Sequence, residues 1–301
     1  MSVGLRLFTF AMRWGVRPLL SRTGRVGAAR WGLRLAALAF PLPFGLVVSR
    51  QRGEWRLRPR SAGAGPVVLY FHGGAYIAGS PWTHRGLLGR IARAAGCEVV
   101  APDYPLAPEH PAPAAFKAAQ AAFDHLRAEG HPAAQIILAG DSAGGGLAAA
   151  LANDLANQGC VVGGLILLSP WADLTLSGAS IGTKAKIDPL LPAHRLQEVV
   201  KHVCGELSPE DPRLSALFGH ASSAPRTLIL VGADEILLDD SRRLAVHLRA
   251  KGALVDLHIR LQAPHVYPYL APYVPEARAA IRHMARFIRQ VSPSPQSRFG
   301  S

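Results

Sequence analysis

Cysteine is scarce in this chain of 301 residues, and its pattern excludes two classes of small domain. The three cysteines lie at positions 97, 160 and 204, an odd number without any C-x-x-C spacing. Neither a disulfide framework nor a thiolate zinc site fits that arrangement, so we expect reduced, buried thiols. Charged residues are also few, at 18% against 49% hydrophobic residues, and this balance excludes intrinsic disorder.

Long hydrophobic runs and internal repeats are missing as well. The longest apolar stretch runs from Leu35 to Val48 and contains Pro41 and Pro43, whereas about 20 apolar residues are needed to span a bilayer. It also lies too far along the chain for a secretory signal, whose apolar core follows a short basic region. No repeat of roughly 20 to 50 residues indicates a solenoid or propeller. We therefore expect a cytoplasmic protein without a transmembrane helix.

Positive charge is concentrated near the start of the chain. The formal net charge is +13, and residues 1–60 carry +11 of it through twelve arginines and a single acid, Glu54. The remaining residues are nearly neutral, which argues against a basic groove and against nucleic acid as a partner.

The first residues have the pattern of an amphipathic helix. Arg6, Arg13 and Arg17 fall on one helical face, while Leu5 and Phe8 lie off it. Three interpretations remain open: a helix packed over the main domain, a helix at a membrane surface, or an arginine-rich transit peptide. A peripheral membrane contact through this basic helix is therefore one of the expectations.

From residue 54 onward, short apolar runs alternate with alanine-rich helical stretches. This alternation predicts an α/β fold with a doubly wound, mostly parallel sheet flanked by helices. Residues 172–224 interrupt the rhythm and indicate an insertion over the strand ends, and alternation over 255–261 predicts an edge strand with one wet face. The predicted helices lie near 83–95, 113–129, 143–158, 239–251 and 275–290. The predicted buried strands are Val67–Phe71, Glu98–Ala101, Gln135–Ala139, Leu165–Leu168 and Thr227–Val231.

The run Gly140-Asp141-Ser142-Ala143-Gly144 has the form G-x-S-x-G and lies between a predicted strand and a predicted helix. This is the context of a nucleophile elbow, in which a sharp, strained turn presents a serine hydroxyl at the strand ends. Ser142 is therefore the candidate nucleophile. An ordinary Gly-Ser turn before a helix is the alternative.

A dinucleotide-binding fingerprint overlaps this motif, because Gly144, Gly146 and Ala149 satisfy G-x-G-x-x-A. At least two predicted strands precede it, whereas that fingerprint normally lies in the first βαβ unit. Asp141 and Ser142 are among the residues that separate it from its strand, and the next strand ends in Ser-Pro rather than in a ribose-binding acid. We therefore disfavour a dehydrogenase.

A second glycine-rich loop, His72-Gly73-Gly74-Ala75, follows the strand predicted at 67–71. In serine hydrolases such a loop brings backbone N–H groups beside the nucleophile, where they stabilise an oxyanion. We predict an oxyanion hole from Gly73, Gly74 and Ala75 together with Ala143, with Gly74, Ala75 and Ala143 as the natural donors. A plain tight turn is the alternative.

A serine nucleophile needs a base and an acid, and the elbow topology requires the chain order Ser, acid, His. His265 follows the last predicted strand and precedes the last predicted helix, so it is the candidate base. For the acid, Asp234 and Glu235 are adjacent after the strand predicted at 227–231 and remain alternatives.

These motifs resemble the microbial hormone-sensitive lipase family of α/β-hydrolases. The resemblance covers about residues 60–290 and also rests on Pro264-His265-Val266 and on the run from Asp103 to Pro111. It implies hydrolysis of carboxylic esters with short acyl chains, no cofactor and no metal. It also favours Glu235 over Asp234, because Glu235 precedes Leu237 and Asp239 at the spacing of the family's acid.

The resemblance further implies a helical cap. It divides the chain into an N-terminal helical segment that belongs to the cap (1–53), a first core part (54–171), a cap insertion (172–224) and a second core part (225–301). The N-terminal Leu, Phe and Trp side chains are then expected to cover the mouth of the acyl pocket. Three residues depart from the family pattern: Ala75 stands in place of a third glycine, and Pro105 and Ala112 in place of a usual Arg and Phe.

The predicted function is that of a serine carboxylesterase acting on a small-molecule ester. The alternatives are a lactone or amide hydrolase with the same three residues, and a non-catalytic ligand-binding member of the fold. A homodimer is a further expectation.

Overall fold

A computed structural model describes residues 1–22, 26–63 and 65–291. Residues 292–301, the end of the second core part predicted at 225–301, lie outside them. The described residues form an eight-stranded sheet with the order β1-β2-β4-β3-β5-β6-β7-β8. The strands are β1 (Leu46–Gln51), β2 (Glu54–Pro59), β3 (Val67–Phe71), β4 (Glu98–Pro102), β5 (Ile136–Asp141), β6 (Gly164–Leu168), β7 (Thr227–Gly232) and β8 (Val255–Arg260).

The sheet is parallel from β4 to β8 and antiparallel at β1 and β2. The predicted doubly wound α/β fold is therefore confirmed. The central strands β3, β5, β6 and β7 are buried throughout, because helices cover both faces, as their continuous apolar runs predict. Strand β8 alternates half-buried and exposed side chains, which confirms the predicted edge strand.

Helices pack against both faces and close two apolar cores. Helices α5, α6 and α9 contribute to one core, and α4 and α10 to the other. These five agree with the predicted helices. They are α4 (Pro81–Ala95), α5 (Ala114–Ala128), α6 (Ala143–Asn157), α9 (Leu238–Ala250) and α10 (Pro275–Val291).

The hairpin of β1 and β2 corrects the predicted N-terminal boundary. Residues 1–53 were expected to be helical, but β1 pairs with β2, which in turn pairs with β4. The turn consists of Arg52 and Gly53, both with positive φ (51° and 78°), as a two-residue hairpin of the right twist requires. Arginine is uncommon at the first position of such a turn, so it does not indicate a hairpin. The helical part of residues 1–53 ends at Leu38.

Three helices precede the sheet. Helix α1 (Val3–Ala11) continues through a single π turn (Met12–Val16) into α2 (Arg17–Arg22), and α3 (Val26–Leu38) follows. Ser2 fixes the start of α1, since its N–H and hydroxyl both donate to the Glu276 carboxylate at 2.7 Å. Leu5 is fully buried. No helix in the described ranges has the length and hydrophobicity to cross a membrane.

The insertion at 172–224 contains short helices, α7 (Ser180–Thr183) and α8 (Leu196–Cys204). The N-terminal helix packs on it through arginines. Arg13 donates to the carbonyl of Ile187 at 2.5 Å, and Arg17 donates to that of Ala185 at 2.6 Å. Two members of the predicted basic face are therefore tied to the insertion.

Candidate active site

Ser142 lies in a strained turn between β5 and α6. Its φ of 53° and ψ of −122° belong to a region that side chains rarely adopt, as expected of a nucleophile elbow. A Cβ on Gly144 would lie 2.1 Å from the carbonyl oxygen of Phe71, so only glycine allows this close approach to β3. Ser142 is buried, and its N–H donates to Leu168 at the end of β6 at 2.8 Å. The turn is thus fixed to the sheet at the carboxyl ends of the strands.

His265 and Glu235 meet beside this turn. The Nδ1 atom of His265 lies 2.5 Å from Oε2 of Glu235, and both side chains are buried. Burial disfavours the imidazolium, but the Glu235 carboxylate outweighs burial and raises the pKa of His265. Asp234, the other candidate acid, is half-buried and precedes the residue that makes this contact.

The second carboxylate oxygen of Glu235 is held from two sides. Oε1 accepts hydrogen bonds from the N–H of Gly232 at 2.6 Å and from the hydroxyl of Ser169 at 2.8 Å. Ser169 also accepts from the N–H of Val266 at 3.1 Å, so one buried serine joins the acid to the loop of His265. The sequence analysis missed Ser169, because a lone serine after a strand has no distinctive spacing.

The glycine-rich loop after β3 supplies free N–H groups, with one exception. Gly73, which was placed in the predicted oxyanion hole but not among its natural donors, donates its N–H to Oδ1 of Asp141 at 2.9 Å. An N–H already bonded to a buried carboxylate is not available to a substrate. Gly74 (φ 125°) and Ala75 (φ 55°) adopt the left-handed region. Within the described part of the chain, nothing accepts from the N–H groups of Gly74, Ala75 and Ala143.

Asp141 is a second residue that sequence reasoning missed. Besides Gly73, its buried carboxylate accepts from the hydroxyl of Tyr70 at 2.9 Å and contacts Nε2 of His84 at 3.3 Å. Burial opposes the charge, but His84 and the hydroxyl of Tyr70 outweigh it, and the pKa of Asp141 is lowered. Asp141 directly precedes Ser142, so its hydrogen bond with Gly73 ties the glycine-rich loop to the serine turn.

Asp188 links the insertion to the loop of the acid. Its buried carboxylate accepts from the N–H groups of Leu190, Leu191 and Ile236, each at 2.8 Å. Ile236 directly follows Glu235, and burial raises the pKa of Asp188. The insertion thus contacts the loop of Glu235 through a buried acid that belongs to no recognisable sequence motif.

The side chain of His72, the first residue of the glycine-rich loop, is buried. Its ring stacks on Tyr104 with centroids 4.2 Å apart, and the Tyr104 hydroxyl donates to the carbonyl of His72 at 2.5 Å. Burial lowers the pKa of His72 to about 3. A neutral histidine here supports the loop from inside.

A cleft with about 300 Å³ of empty space, part of it open to solvent, lies next to the glycine-rich loop. The cleft is lined by Tyr76, which directly follows that loop, and by Leu147, which lies near the start of α6. Phe116 and Val203 provide an apolar wall, and Pro105 and Ala112, the two departures from the family pattern, both line it.

Residues that could hold a metal ion lie elsewhere. Asp256, His258 and His283 form an exposed group on β8 and α10, in which both imidazoles contact the same carboxylate at 2.7 and 3.0 Å. His258 lies on the exposed face of β8, as the alternation over 255–261 predicts.

Comparison with known proteins gives a consistent result. Residues 68–269 match the alpha/beta hydrolase fold family. An esterase of Acinetobacter venetianus is 39% identical over 230 residues, covering 75% of each chain. An acetyl-hydrolase of Streptomyces hygroscopicus is 36% identical over 245 residues, covering 81% of each chain. A solved esterase of the bacterial hormone-sensitive lipase family is 34% identical, with a TM-score of 0.90 over 96% of this chain and 98% of its own. The chain therefore belongs to the α/β-hydrolase fold family, within its hormone-sensitive lipase branch.

Proposed function

We propose that this protein is a serine carboxylesterase in which Ser142 is the nucleophile, His265 the base and Glu235 the acid. The hydrogen bond between Glu235 and His265 is the observation that supports this proposal most, because it orients an imidazole in a chain whose Ser142 occupies a strained turn. The esterase and acetyl-hydrolase names of the relatives support the reaction class.

In the proposed reaction, His265 takes the proton of the Ser142 hydroxyl through Nε2 while Oγ attacks the ester carbonyl carbon. Glu235 holds Nδ1–H and stabilises the imidazolium. The carbonyl oxygen becomes an oxyanion, which accepts hydrogen bonds from the N–H groups of Gly74, Ala75 and Ala143.

Collapse of this intermediate breaks the bond to the alcohol oxygen, and His265 returns its proton to the leaving alcohol. An acyl group then remains on Ser142. His265 next takes a proton from water, whose oxygen attacks the acyl carbon. The second collapse releases the carboxylic acid and restores the serine hydroxyl, so atoms and protons balance over the cycle.

The cleft beside the glycine-rich loop supports a preference for short acyl chains. The centres of water-sized spheres can occupy only about 10 Å³ of this cleft, so its closed part is narrow. Longer chains would have to displace apolar wall residues such as Phe116 or extend into solvent. We expect kcat/KM for p-nitrophenyl esters to fall as the acyl chain lengthens beyond butyrate. A preference for laurate would contradict this assignment.

The decisive test of the reaction is a burst of p-nitrophenol from p-nitrophenyl acetate, compared with Ser142→Ala. A serine esterase releases a burst with the wild type, and the variant loses activity by about three orders of magnitude or more. A non-catalytic binding protein gives no burst. Matched ester, lactone and amide substrates at saturating concentration separate the three hydrolase classes.

We further propose that the N-terminal helices and the 172–224 insertion form a cap over the site. Arg13 and Arg17 bind the carbonyls of residues 185–187, directly before Asp188, which supports this role. Replacing both arginines by Gln should alter turnover or acyl selectivity. The same change at the exposed Arg6 and Arg22 removes equal charge without those contacts and should have no effect. Equal behaviour of the two double variants would contradict the cap.

A homodimer and a cytoplasmic location remain predictions. Sedimentation velocity of the purified protein and fractionation of cells that produce it would test them.

A further inference from the structure

The first helix carries an exposed apolar stripe. Val3, Leu7, Phe10 and Trp14 follow one another at intervals of four, three and four residues, which places them on one side of the helix. All four are exposed, Phe10 by 65% and Trp14 by 68%, and the rings of Phe10 and Trp14 lie 6.3 Å apart. The opposite side faces the protein, where Leu5 is buried and Phe8 stacks on Tyr273. The helix thus has an apolar side on the outside as well as on the inside.

Helix α3 repeats this arrangement. Trp31, Leu35 and Leu38 are spaced by four and three residues and are exposed by 60 to 65%. We call the seven exposed side chains of the two helices the docking face. Exposed apolar groups in this density usually mark an interaction surface. The docking face consists of Val3, Leu7, Phe10, Trp14, Trp31, Leu35 and Leu38.

The two helices border the candidate active site from different sides. Residues 1–22 are attached to the insertion directly before Asp188, which contacts the loop of the acid. Helix α3 is attached to the segment that follows the glycine-rich loop, because Arg30 donates to the carbonyl of Ile77 at 2.8 Å. Each of the two helices that carry the docking face is therefore attached to a segment that adjoins the candidate active site.

The charged residues within the two helices are all arginines, of which Arg30 is paired with Glu109. Arg6 lies beside Leu7, Arg34 lies between Trp31 and Leu35, and both arginines are exposed. No acidic residue precedes Glu54 in the chain. Arginines beside exposed tryptophans match the headgroup region of an anionic lipid layer, where apolar side chains enter and cations bind phosphate. A second copy of this chain would bring the same positive charge against it and be repelled.

We propose that the docking face binds the surface of anionic lipid and so presents the active site to esters that partition into it. This inference rests on the proposed esterase function, because lipid binding would bring that enzyme to its substrate. The binding itself depends on other residues, those of the docking face. It differs from the sequence-based expectation of a basic membrane helix, because Arg13 and Arg17 face the insertion and the apolar stripe faces outward.

The test is co-sedimentation of the full chain with phosphatidylcholine vesicles, with and without phosphatidylglycerol, at low salt. We expect binding to the vesicles that contain phosphatidylglycerol and weaker binding to phosphatidylcholine alone. The double variant Phe10→Ser, Trp14→Ser should lower the partition coefficient about tenfold or more. As a matched control, Leu254→Ser, Leu261→Ser changes side chains that are equally exposed, by 75% and 74%, and should bind like the wild type.

Hydrolysis of soluble p-nitrophenyl acetate is measured on the same samples and should be equal in all three proteins. An inactive wild type that still binds vesicles would refute the esterase but support the docking face. An active wild type that stays in the supernatant would overturn the docking face alone. Equal loss of binding in both double variants would also overturn it. So would a wild-type dimer that the Phe10, Trp14 variant dissociates.

Discussion

Replacing Ser169 by alanine tests whether the acid is held in place by the hydrogen bonds described for it. The Ser169 hydroxyl is fully buried, donates to Oε1 of Glu235 and accepts from the N–H of Val266. Alanine removes both bonds and leaves a buried N–H without its acceptor. Glu235 keeps its bonds to Gly232 and His265, so its orientation is loosened rather than lost.

The expected magnitudes follow from these contacts. A hydrogen bond to a charged group contributes about 1.5 to 3 kcal/mol, and an unpaired buried N–H costs about 1 to 3 kcal/mol. Because the losses overlap, we expect the free energy of unfolding to fall by about 2 to 4 kcal/mol. We expect kcat/KM to fall roughly 10- to 100-fold, since the acid remains charged and partly held, which corresponds to about 1.4 to 2.7 kcal/mol of transition-state stabilisation.

Ser215 provides a matched control. It is also fully buried, donates to the carbonyl of Pro209 at 2.6 Å and accepts from the N–H of Leu174 at 2.7 Å. Ser215→Ala should therefore destabilise the fold to a similar extent, as measured by urea unfolding, while kcat changes less than about twofold. If both variants lose turnover equally, or if Ser169→Ala is destabilised but keeps full turnover, Ser169 does not position the acid.

Three further predictions concern buried carboxylates. Glu235→Gln should lower kcat by about two orders of magnitude or more. It should also move the acid limb of the pH–rate profile to lower pH, because the charge that raises the pKa of His265 is lost. Asp234→Asn should change neither kcat nor the pH–rate profile, and the reverse outcome would assign the role of the acid to Asp234. Asp141→Asn should weaken the hold on the glycine-rich loop and lower kcat about tenfold with little change in KM, so an unchanged kcat would argue against that role. Burial raises the pKa of Asp240 to about 8, so the fold favours its protonated form, and the stability this supplies is lost as pH rises from about 4 to about 8. Asp240→Asn should flatten that decline in urea unfolding, and parallel pH dependences would refute the assignment.

The central sheet could be predicted because its physical cause lies in the sequence itself. Strands covered on both faces need continuous apolar runs, and Val67–Phe71 and Thr227–Gly232 have them. The strands β1 and β2 of the hairpin lack such continuous apolar runs. Strand β1 lies at the edge, its side chains are mostly exposed, and polar residues follow Val48 without an alternating pattern. Nothing in its composition therefore distinguishes it from a loop.

The candidate site divides along a similar line. Ser142, the glycine-rich loop and His265 each follow the end of a strand, so their location at one edge of the sheet could be predicted. Ser169 and Asp188 act through single hydrogen bonds across 66 and 48 residues of chain. Contacts of that kind depend on the packed fold, because no local pattern ties one polar residue to a partner so distant. The same holds for Gly73, whose N–H is taken by Asp141.

The orientation of the N-terminal helix shows why an amphipathic pattern alone leaves function open. Its sequence contains two apolar sides with arginines between them, so either side could have faced the protein. In the observed orientation Leu5 is buried and Trp14 is exposed, and the carbonyls of Ala185 and Ile187 accept from Arg17 and Arg13. An arginine that satisfies a carbonyl of the insertion is withdrawn from any lipid phosphate. What remains outside is an apolar surface bordered by Arg6, so the proposed membrane contact and the proposed cap use two different sides of one helix.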